Sequence, residues 1–368
     1  MKNNKITLFI PSLHGGGAEK VFVNLANGFI KKNKKVDLIL AKQEGPYLKD
    51  LSEKVNIINL NKKRVLFTLL PLIQYLNREK PDILISALSH ANIITLIANY
   101  FINNKIKVIV TEHNPISIKN NQLFFLKKLL TKFFIKKLYK KSNKVVAVSR
   151  GVANDLVKTL KISENNLHVI YNPIYTSGLV KKPSSEFFHK WLDNKKDIII
   201  IAIGRLTKQK NFLLLIKSFE IIVKKINVKL IILGEGEERQ NLEKSIQNLN
   251  LQNSIDLPGF VDNPYSFLNK SNIFVLSSDF EGFGNVLVEA MACGTPVVST
   301  NCPSGPSEIL ENGKYGKLVP VNNPNALAEA IIETLNNPIE SSILQKRASF
   351  FSVEKSVNEY LKIINHEN

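Results

Sequence analysis

Two glutamates eight residues apart, Glu281 and Glu289, are the side chains of this sequence best placed to do chemistry. They flank a turn after an apolar strand pattern, and the residues that follow predict a helix ending near Cys293. Gly282 and Gly284 allow the backbone to turn sharply and to approach a ligand closely. The first amides of a helix lack intrahelical partners and carry the positive end of its dipole. The segment therefore predicts an anion site with one carboxylate at the turn and another inside the helix.

The residues around this pair make the pattern more specific, because Gly294 ends the helix and a buried strand over Val297–Ser299 follows. The stretch from Ser277 to Thr300 resembles the donor-site signature of the retaining glycosyltransferases of family 4. The resemblance implies that the first glutamate contacts hydroxyls of a donor sugar, the second contacts the ribose, and the amides between them receive the diphosphate. The donor-binding residues implied here are Glu281, Gly282, Phe283, Gly284, Asn285, Val286 and Glu289. Two solvated helix charges remain the alternative.

A second cluster follows the first strand pattern of the second half, in the segment Gly204–Asn211. Arg205 and Lys210 can converge on one diphosphate from a loop and from a helix start. The order of strand, Gly-Arg, short gap, Lys-Asn and helix resembles the diphosphate clamp of family 4, in which Gly204 also lines the donor. Ordinary surface cations are the alternative. Because the chain has no D-x-D motif, no metal is expected, and the two cations with the helix dipole would offset the leaving-group charge.

Two further glycine turns, Leu233–Gly236 and Pro258–Val261, end strand patterns in the second half. By the resemblance, they line the donor, and the second borders the base. The donor-binding residues implied in them are Gly234, Glu235, Phe260 and Val261. Generic strand-end turns are the alternative.

The first strand pattern of the chain is followed by three glycines, Gly15, Gly16 and Gly17, at the start of a helix. Such a turn can approach an anion. A dinucleotide fingerprint is the rival interpretation, since Asp37 lies about twenty residues on, but Lys20 stands where its third glycine belongs. The family resemblance instead places this loop near the donor phosphates and the acceptor.

His113 follows a strand pattern in the first half. A lone histidine is usually structural, but this one matches a family histidine near the transferred sugar. The catalytic residues implied by the resemblance are Glu281, His113, Arg205 and Lys210.

Both halves of the chain alternate short β-branched strands with amphipathic helices, a pattern that favours parallel sheets covered on both faces. The predicted fold class is α/β, with two Rossmann-like, doubly wound parallel-sheet domains facing a cleft, the GT-B arrangement. Residues 1–175, joined by a C-terminal helix over about 350–368, form the predicted acceptor and membrane-binding domain, whose last strand is expected at His168–Tyr171. Residues 176–349 form the predicted nucleotide-sugar-binding domain.

Charge is distributed unevenly, with 29 lysines and arginines against 10 acidic residues up to Tyr175 and 21 of each in the remainder. Such asymmetry indicates a polyanionic partner, either nucleic acid or an anionic membrane face. Cys293 and Cys302 form no disulfide framework or metal spacing, and no signal peptide is expected. The uncharged stretch Ile83–Asn104 is long enough to span a bilayer, but its polar residues favour a strand followed by a helix.

The segment Phe124–Lys144 combines apolar residues at helical spacing with a crowd of lysines. A basic amphipathic helix with aromatic residues is typical of an anionic bilayer interface. The predicted membrane-binding residues are Lys128, Lys132, Lys136 and Lys140. A Rossmann helix with a solvated basic face is the alternative.

Together these patterns predict a retaining, metal-independent glycosyltransferase without a cofactor. It would move a hexose or N-acetylhexosamine from a UDP-sugar to a polyprenyl-diphosphate-linked or lipopolysaccharide acceptor in bacterial surface polysaccharide assembly. It would lie on the inner face of the cytoplasmic membrane and bind no nucleic acid. A GT-B sugar-nucleotide epimerase and a basic nucleic-acid-binding protein are the two rival classes.

Overall fold

The computed structural model describes residues 5–102, 105–121, 133–176, 178, 189–192 and 197–365. The chain divides into two units. Unit 1 comprises Met1–Pro173 together with Val353–Asn368, and unit 2 comprises Ile174–Ser352. Each unit contains one parallel sheet with helices, so the fold class is α/β as the sequence predicts.

Unit 1 is built on a seven-stranded sheet in the order β3-β2-β1-β4-β5-β6-β7. Its strands are β1 Lys5–Ile10, β2 Lys35–Leu40, β3 Asn56–Asn59, β4 Ile83–Ala87, β5 Lys107–Glu112, β6 Lys144–Ala147 and β7 Leu167–Val169. Every pairing is parallel. The central strands are apolar along almost their whole length because helices cover both faces of the sheet.

The helices of unit 1 include one from the far end of the chain. They are α1 Gly17–Lys31, α2 Leu69–Glu79, α3 Ser89–Phe101, α4 Ile116–Asn121, α5 (133–139), α6 Arg150–Leu160 and α14 Val353–Asn365. The last helix packs on α1, where Gly28 leaves the space that the Val357 side chain fills. A side chain at Gly28 would collide with Val357, so this glycine allows the helices to pack closely.

Unit 2 is built on a six-stranded parallel sheet in the order β10-β9-β8-β11-β12-β13. Its strands are β8 Ile198–Ile203, β9 Val228–Leu233, β10 Ile255–Gly259, β11 Ile273–Leu276, β12 Val297–Thr300 and β13 Lys317–Val319. Its helices are α7 Phe212–Val223, α8 Arg239–Asn248, α9 Tyr265–Lys270, α10 Asn285–Ala292, α11 Pro306–Ile309, α12 Pro324–Asn336 and α13 Ser341–Ser349. Because β8 pairs with both β9 and β11, the loops that follow these three strands emerge at one edge of the sheet.

The uncharged stretch that begins at Ile83 forms β4 and α3, which confirms the prediction of a strand followed by a helix. Among the described residues, no helix is both long enough and apolar enough to span a bilayer.

Candidate active site

Three glycines at strand ends of unit 2 lie side by side. Gly204 follows β8, Gly234 follows β9, and Gly259 ends β10. The Gly204 amide donates to the carbonyl oxygen of Leu233 at 2.9 Å, and the Gly234 amide donates to that of Gly259 at 2.8 Å. Gly234 has a φ of 142°, and a Cβ there would overlap the Gly204 carbonyl oxygen. Glycine is therefore required at Gly234, and the three turns form one continuous backbone edge.

The loop after β8 is held against the turn after β11 by hydrogen bonds in both directions. The Asp279 amide donates to the carbonyl oxygen of Gln209 at 2.9 Å, and the Gln209 side-chain amide donates to that of Phe280 at 2.9 Å. Asn211 donates to the Asp279 carboxylate at 2.7 Å and also caps α7. These bonds fix Lys210 beside the turn that carries Glu281.

Lys210 and Glu281 form an ion pair, with 2.6 Å between Nζ and Oε1. The Glu281 side chain is only 7% exposed. Its carboxylate also accepts a hydrogen bond of 2.7 Å from the hydroxyl of Ser278, whose carbonyl oxygen accepts one of 2.6 Å from Thr300. A buried carboxylate is costly unless it is paired and hydrogen-bonded, and both conditions hold here. The ion pair is thus held in place by hydrogen bonds at the end of β11.

The turn between the two glutamates is locked from the other side by the loop after β12. The Glu281 amide donates to the carbonyl oxygen of Pro303 at 3.1 Å. A Cβ at Gly305 would overlap the Phe283 carbonyl oxygen, so this loop requires glycine for its close approach. Gly284 has a φ of 99° and immediately precedes α10. The expected glycine turn and helix are thus confirmed, with Cys293 as the residue after the last helical position.

Glu289 lies on α10 and is half-buried. The Tyr265 hydroxyl from α9 donates to its Oε1 at 3.5 Å. Burial, reinforced by the Glu289 charge, raises the pKa of the Cys293 thiol to about 12. Both glutamates therefore belong to one turn-and-helix segment, in which Glu281 bonds to Lys210 and Ser278, and Glu289 accepts a hydrogen bond from Tyr265.

Arg205 differs from Lys210 in its surroundings. Its side chain is 77% exposed, and its Nε lies 3.9 Å from the Glu237 carboxylate. Of the two cations of the expected clamp, Lys210 is therefore paired with Glu281, while Arg205 is exposed in the same loop. Their convergence on one diphosphate stays a prediction.

The turns after β9 and β10 carry the remaining predicted residues of unit 2. The carboxylate of Glu235 accepts a 3.1 Å hydrogen bond from Arg239, which also donates to the carbonyl oxygen of Leu257 at 2.8 Å. The Phe260 ring is 48% exposed, and Val261 is partly buried. An exposed aromatic ring beside backbone turns can provide a stacking surface for a planar group.

In unit 1, the glycine loop after β1 lies against the carboxylate of Glu19, a contact that the sequence pattern did not predict. Gly15 has a φ of 102°, Gly16 precedes α1, and Gly17 begins it. A Cβ at Gly16 would overlap the carboxylate of Glu19, which folds back over this glycine. A carboxylate in the first turn of a helix is favourable for the helix dipole. The middle glycine of the loop, Gly16, is thus covered by the carboxylate of Glu19.

Asp37, the residue on which the dinucleotide interpretation depends, is buried within β2. It pairs with Lys5 at 2.8 Å and accepts hydrogen bonds from Asn56, at 2.9 Å, and from Tyr75. These partners give Asp37 a structural role inside unit 1. The structure therefore disfavours the dinucleotide interpretation.

His113 is buried directly after β5, with Nε2 3.0 Å from the Thr111 hydroxyl and its ring edge-on to Phe22. The preceding residue, Glu112, has a buried carboxylate that accepts hydrogen bonds from Tyr139 on α5 and from Asn92 on α3. Burial and the Glu112 charge together hold the pKa of Tyr139 well above its ordinary value. Sequence reasoning missed this network because its members are far apart in the chain.

The predicted membrane segment is described only from residue 133 onward, so Lys128 and Lys132 lie outside the described residues. Lys136 is half-buried on α5, and Lys140 is exposed just after it. Lys137, between them, places its ammonium 5.7 Å from the centre of the Phe133 ring.

Comparison with known proteins gives one consistent family. Residues 15–177 match the family described as Glycosyltransferase Family 4, and residues 183–349 match Glycosyl transferases group 1. The chain is 31% identical to the N-acetylgalactosamine-N,N'-diacetylbacillosaminyl-diphospho-undecaprenol 4-alpha-N-acetylgalactosaminyltransferase of Campylobacter jejuni, over 98% of this chain and 99% of that protein. This chain belongs to glycosyltransferase family 4.

Other relatives of this family 4 glycosyltransferase carry names from capsule and lipopolysaccharide synthesis. The capsular polysaccharide biosynthesis glycosyltransferase CapM of Staphylococcus aureus is 29% identical, over 84% of this chain and 83% of that protein. The solved structure of Anabaena Alr3699/HepE in complex with UDP matches with a TM-score of 0.79 at 19% identity, over 97% of this chain and 98% of that one. The solved structure of TarM matches with a TM-score of 0.78 at 17% identity, over 98% of this chain and 99% of that one. These structures confirm the GT-B fold.

Within unit 2 of this glycosyltransferase, the strand-end segments place a partly buried cation and a buried carboxylate beside a glycine turn and a helix start. Residues of the loops after β8, β9, β10, β11 and β12 therefore meet at one edge of the sheet, where a polar ligand could contact several of them. Among the described residues, no group of three histidine, cysteine or acidic side chains could hold a metal ion. Sequence reasoning missed Ser278, Gln209 and Asn211, which fix the loops. Only the Lys-Asn pair at the helix start hinted at the last of these, since asparagine is a common helix cap.

Proposed function

We propose that this enzyme is a retaining, metal-independent glycosyltransferase. It moves a hexose or N-acetylhexosamine from a UDP-sugar to a lipid-linked saccharide in the assembly of a bacterial surface polysaccharide. The observation that carries the proposal is the ion pair between the partly buried Lys210 and the buried Glu281, beside the glycine turn at the start of α10. A cation, a carboxylate and a helix start within one short segment suit a ligand that joins a diphosphate to a sugar.

The choice of donor and acceptor is supported by relatives. Anabaena HepE, of the same fold, has been solved with UDP-glucose, and the C. jejuni relative is named for a diphospho-undecaprenol-linked saccharide. A UDP-sugar and a polyprenyl-diphosphate-linked or lipopolysaccharide acceptor are therefore the proposed substrates.

In the proposed complex, Lys210 and Arg205 bind the diphosphate together with the amides near Phe283 to Val286. Fixed cations and a helix dipole stabilise the negative charge that develops on the departing UDP. Glu281 accepts hydrogen bonds from hydroxyls of the sugar, and Glu289 accepts them from the ribose. The donor phosphate itself receives the acceptor proton on the face that the leaving group vacates, so retention needs no protein nucleophile.

Other segments complete the proposed site. The turns with Gly204, Gly234 and Glu235 border the diphosphate, and the turn with Phe260 and Val261 borders the base. From unit 1, His113 contacts the transferred sugar. The glycine loop after β1 lies near the donor phosphates and the acceptor through Gly15, Gly16 and Gly17.

We also propose that unit 1 binds the inner face of the cytoplasmic membrane through its cationic residues. Lys128, Lys132, Lys136 and Lys140 meet anionic headgroups, where each lysine near the surface contributes about 1 kcal/mol. This location brings the enzyme to a lipid-linked acceptor.

The test is product formation from a panel of UDP-sugars with a polyprenyl-diphosphate-linked saccharide, with and without EDTA. We expect one UDP-sugar to extend the acceptor with retained anomeric configuration, at the same rate in EDTA. A rate that falls in EDTA and returns with manganese contradicts metal independence. Conversion of a UDP-sugar to its epimer without acceptor would identify an epimerase instead, and tight, salt-sensitive binding of single-stranded nucleic acid without transfer would favour the nucleic-acid-binding class.

A further inference from the structure

Unit 1 exposes an apolar surface whose residues lie on and beside α3. In the described part of the chain, twelve large apolar side chains are strongly exposed, and seven of them are in this region. They are Leu66, Phe67, Leu70, Tyr100, Phe101, Phe133 and Phe134, each between 49% and 70% exposed. We call these seven residues the apolar face. A concentration of this kind on a water-soluble surface indicates a binding partner.

Contacts on both sides of α3 join the elements that carry these residues into one layer of helices. The short 3-10 turn Val65–Thr68 and α2 both pack against α3. On the side of α5, the Asn92 amide lies 2.9 Å from the Tyr139 hydroxyl, and the Lys141 ammonium lies 4.7 Å from the centre of the Tyr100 ring. Helix α3 therefore has α2 and α5 as neighbours, and the three helices cover the same face of the sheet.

The outer side of α3 is unusual for a helix that covers a sheet in water. The helix contains no lysine, arginine, aspartate or glutamate over its whole length. Ile93, Ile97 and Tyr100 recur at helical spacing, and all three are at least partly exposed while Ala91, Ile94 and Leu96 are buried. A surface helix normally presents charged and polar side chains to solvent. This helix is apolar on its outer side as well as on its inner side.

Cations surround the apolar face. Lys62, Lys63 and Arg64 directly precede the 3-10 turn. Lys105 places its ammonium 5.4 Å from the centre of the Tyr100 ring, and Lys141 lies over the same ring. An apolar centre with aromatic residues and a basic rim is complementary to the anionic surface of a bilayer, where rings and leucines enter the acyl boundary and lysines meet headgroups. A second copy of the chain would bring the same positive rims together, which is unfavourable.

We propose that the apolar face inserts into an anionic lipid bilayer, with the outer side of α3 lying along the acyl boundary. The inference extends the proposed function, because it adds a hydrophobic anchor to the contact made by the lysines of the Phe124–Lys144 segment. Hydrophobic insertion does not depend on charge, so this part of the binding persists when salt screens the lysines. The anchor and the lysines are therefore separable by experiment.

The first measurement is flotation of the full chain with vesicles of phosphatidylglycerol and phosphatidylcholine, at low and at high salt. We compare wild type with a variant that carries Phe67→Ser, Leu70→Ser, Tyr100→Ser and Phe101→Ser. Loss of this apolar area should weaken vesicle binding at high salt by roughly tenfold or more. A control variant with two substitutions, Leu213→Ser and Ile343→Ser, replaces exposed apolar side chains of unit 2 and should leave vesicle binding unchanged.

The second measurement detects insertion directly and does not require loss of binding. The chain has a single tryptophan, Trp191, which is 8% exposed and lies in unit 2. In a Phe101→Trp variant, lipids brominated in the acyl chains should quench the added fluorescence, while Leu213→Trp in unit 2 should not be quenched. Quenching that is equal in the two variants overturns the proposal.

Other outcomes separate the proposals. Unchanged flotation of the serine variant at high salt overturns the hydrophobic anchor. The proposal is also overturned if the wild-type protein is a dimer and the serine variant a monomer, because the apolar face would then be a protein interface. The variant should melt near the wild-type temperature and retain its affinity for UDP. If sugar transfer to a short water-soluble acceptor persists while insertion fails, only the anchor is refuted. Absence of transfer to any acceptor would refute the proposed function, whatever the vesicles show.

Discussion

The ammonium of Lys210 and the carboxylate of Glu281 lie 2.6 Å apart in unit 2, although 71 residues separate them in sequence. Both come from loops that follow strands adjacent in the sheet, β8 and β11. Each residue of this pair compensates the charge of the other where water has little access. The proposed ligand would add a diphosphate to the cation and sugar hydroxyls to the carboxylate. The pair thus keeps both groups in place before the donor arrives.

We expect Lys210→Ala to lower stability as well as turnover, because Glu281 would remain buried without its cation. The free energy of unfolding, measured in urea, should fall by about 3 kcal/mol, the scale for breaking a buried pair. In the double variant Lys210→Met with Glu281→Gln, most of the stability should return while activity stays lost. Equal destabilisation in the single and double variants would show that the pair is not coupled.

Arg205 should behave differently, since its side chain is 77% exposed. Replacement with alanine should leave the unfolding midpoint unchanged and lower kcat/KM by an amount equivalent to about 2–4 kcal/mol, the scale for one preorganised donor. Lys208, an exposed cation of the same loop, provides the matched control, and Lys208→Ala should retain nearly full activity. Activity losses of equal size in the two variants would indicate a general effect of charge.

Replacing the two glutamates should have different effects on UDP affinity and on turnover. Calorimetry with UDP alone should show a weakened affinity for Glu289→Gln, because the ribose hydroxyls would lose a charged acceptor. Glu281→Gln should keep its UDP affinity and lose turnover of the UDP-sugar, since its proposed partner is the sugar. A similar loss of UDP affinity in both variants would contradict the division of roles.

Electrostatic membrane binding should depend on the predicted lysines. Replacing Lys128, Lys132, Lys136 and Lys140 with glutamine should weaken binding to anionic vesicles at low salt by several hundredfold or more, from about 1 kcal/mol for each lysine. Turnover of a short water-soluble acceptor should remain, while turnover of a long-chain lipid acceptor should fall.

A matched variant carries glutamine at four exposed lysines of unit 2. These are Lys217, Lys225, Lys244 and Lys346. It has the same net charge as the unit 1 variant. If it releases the protein from vesicles equally well, total charge and not this segment determines binding.

The thiol groups should be inert in the folded protein. Burial, with a smaller contribution from Glu281, raises the pKa of Cys302 to about 12, and burial raises that of Cys293 to about 12. At pH 8 the reactive thiolate is then only about one part in ten thousand. Iodoacetamide should therefore modify neither cysteine in the native protein, as read by mass spectrometry, and both in urea. Rapid native labelling of Cys302 would indicate that the site opens.

Local sequence patterns predicted most of the elements of the site, because turns and helix ends depend on nearby residues. Gly284 and Cys293 mark the start and end of α10 as expected. The last strand of unit 1, predicted at His168–Tyr171, is present as β7 but begins one residue earlier and ends two residues earlier, because pairing with β6 covers Leu167–Val169.

Contacts between distant segments could not be predicted in this way. The position of Lys210 against Glu281 depends on which strands are neighbours, and a linear pattern does not contain that information. Tyr139 is one of the residues at helical spacing in the segment Phe124–Lys144, but its hydroxyl binds Glu112 in the interior of unit 1. The carboxylate of Glu19 over Gly16 was missed for a related reason, because its rotamer depends on the surrounding packing.

Helix α14 has a consequence for biosynthesis. It packs on α1 against the space left at Gly28, so unit 1 contains a part that the ribosome makes only after unit 2. Unit 2, by contrast, is contiguous from Ile174 to Ser352. During translation the later unit can finish folding first, while the earlier one waits with the surface of α1 uncovered. A nascent chain stalled before Val353 would therefore display an incomplete unit 1 and be a substrate for chaperones.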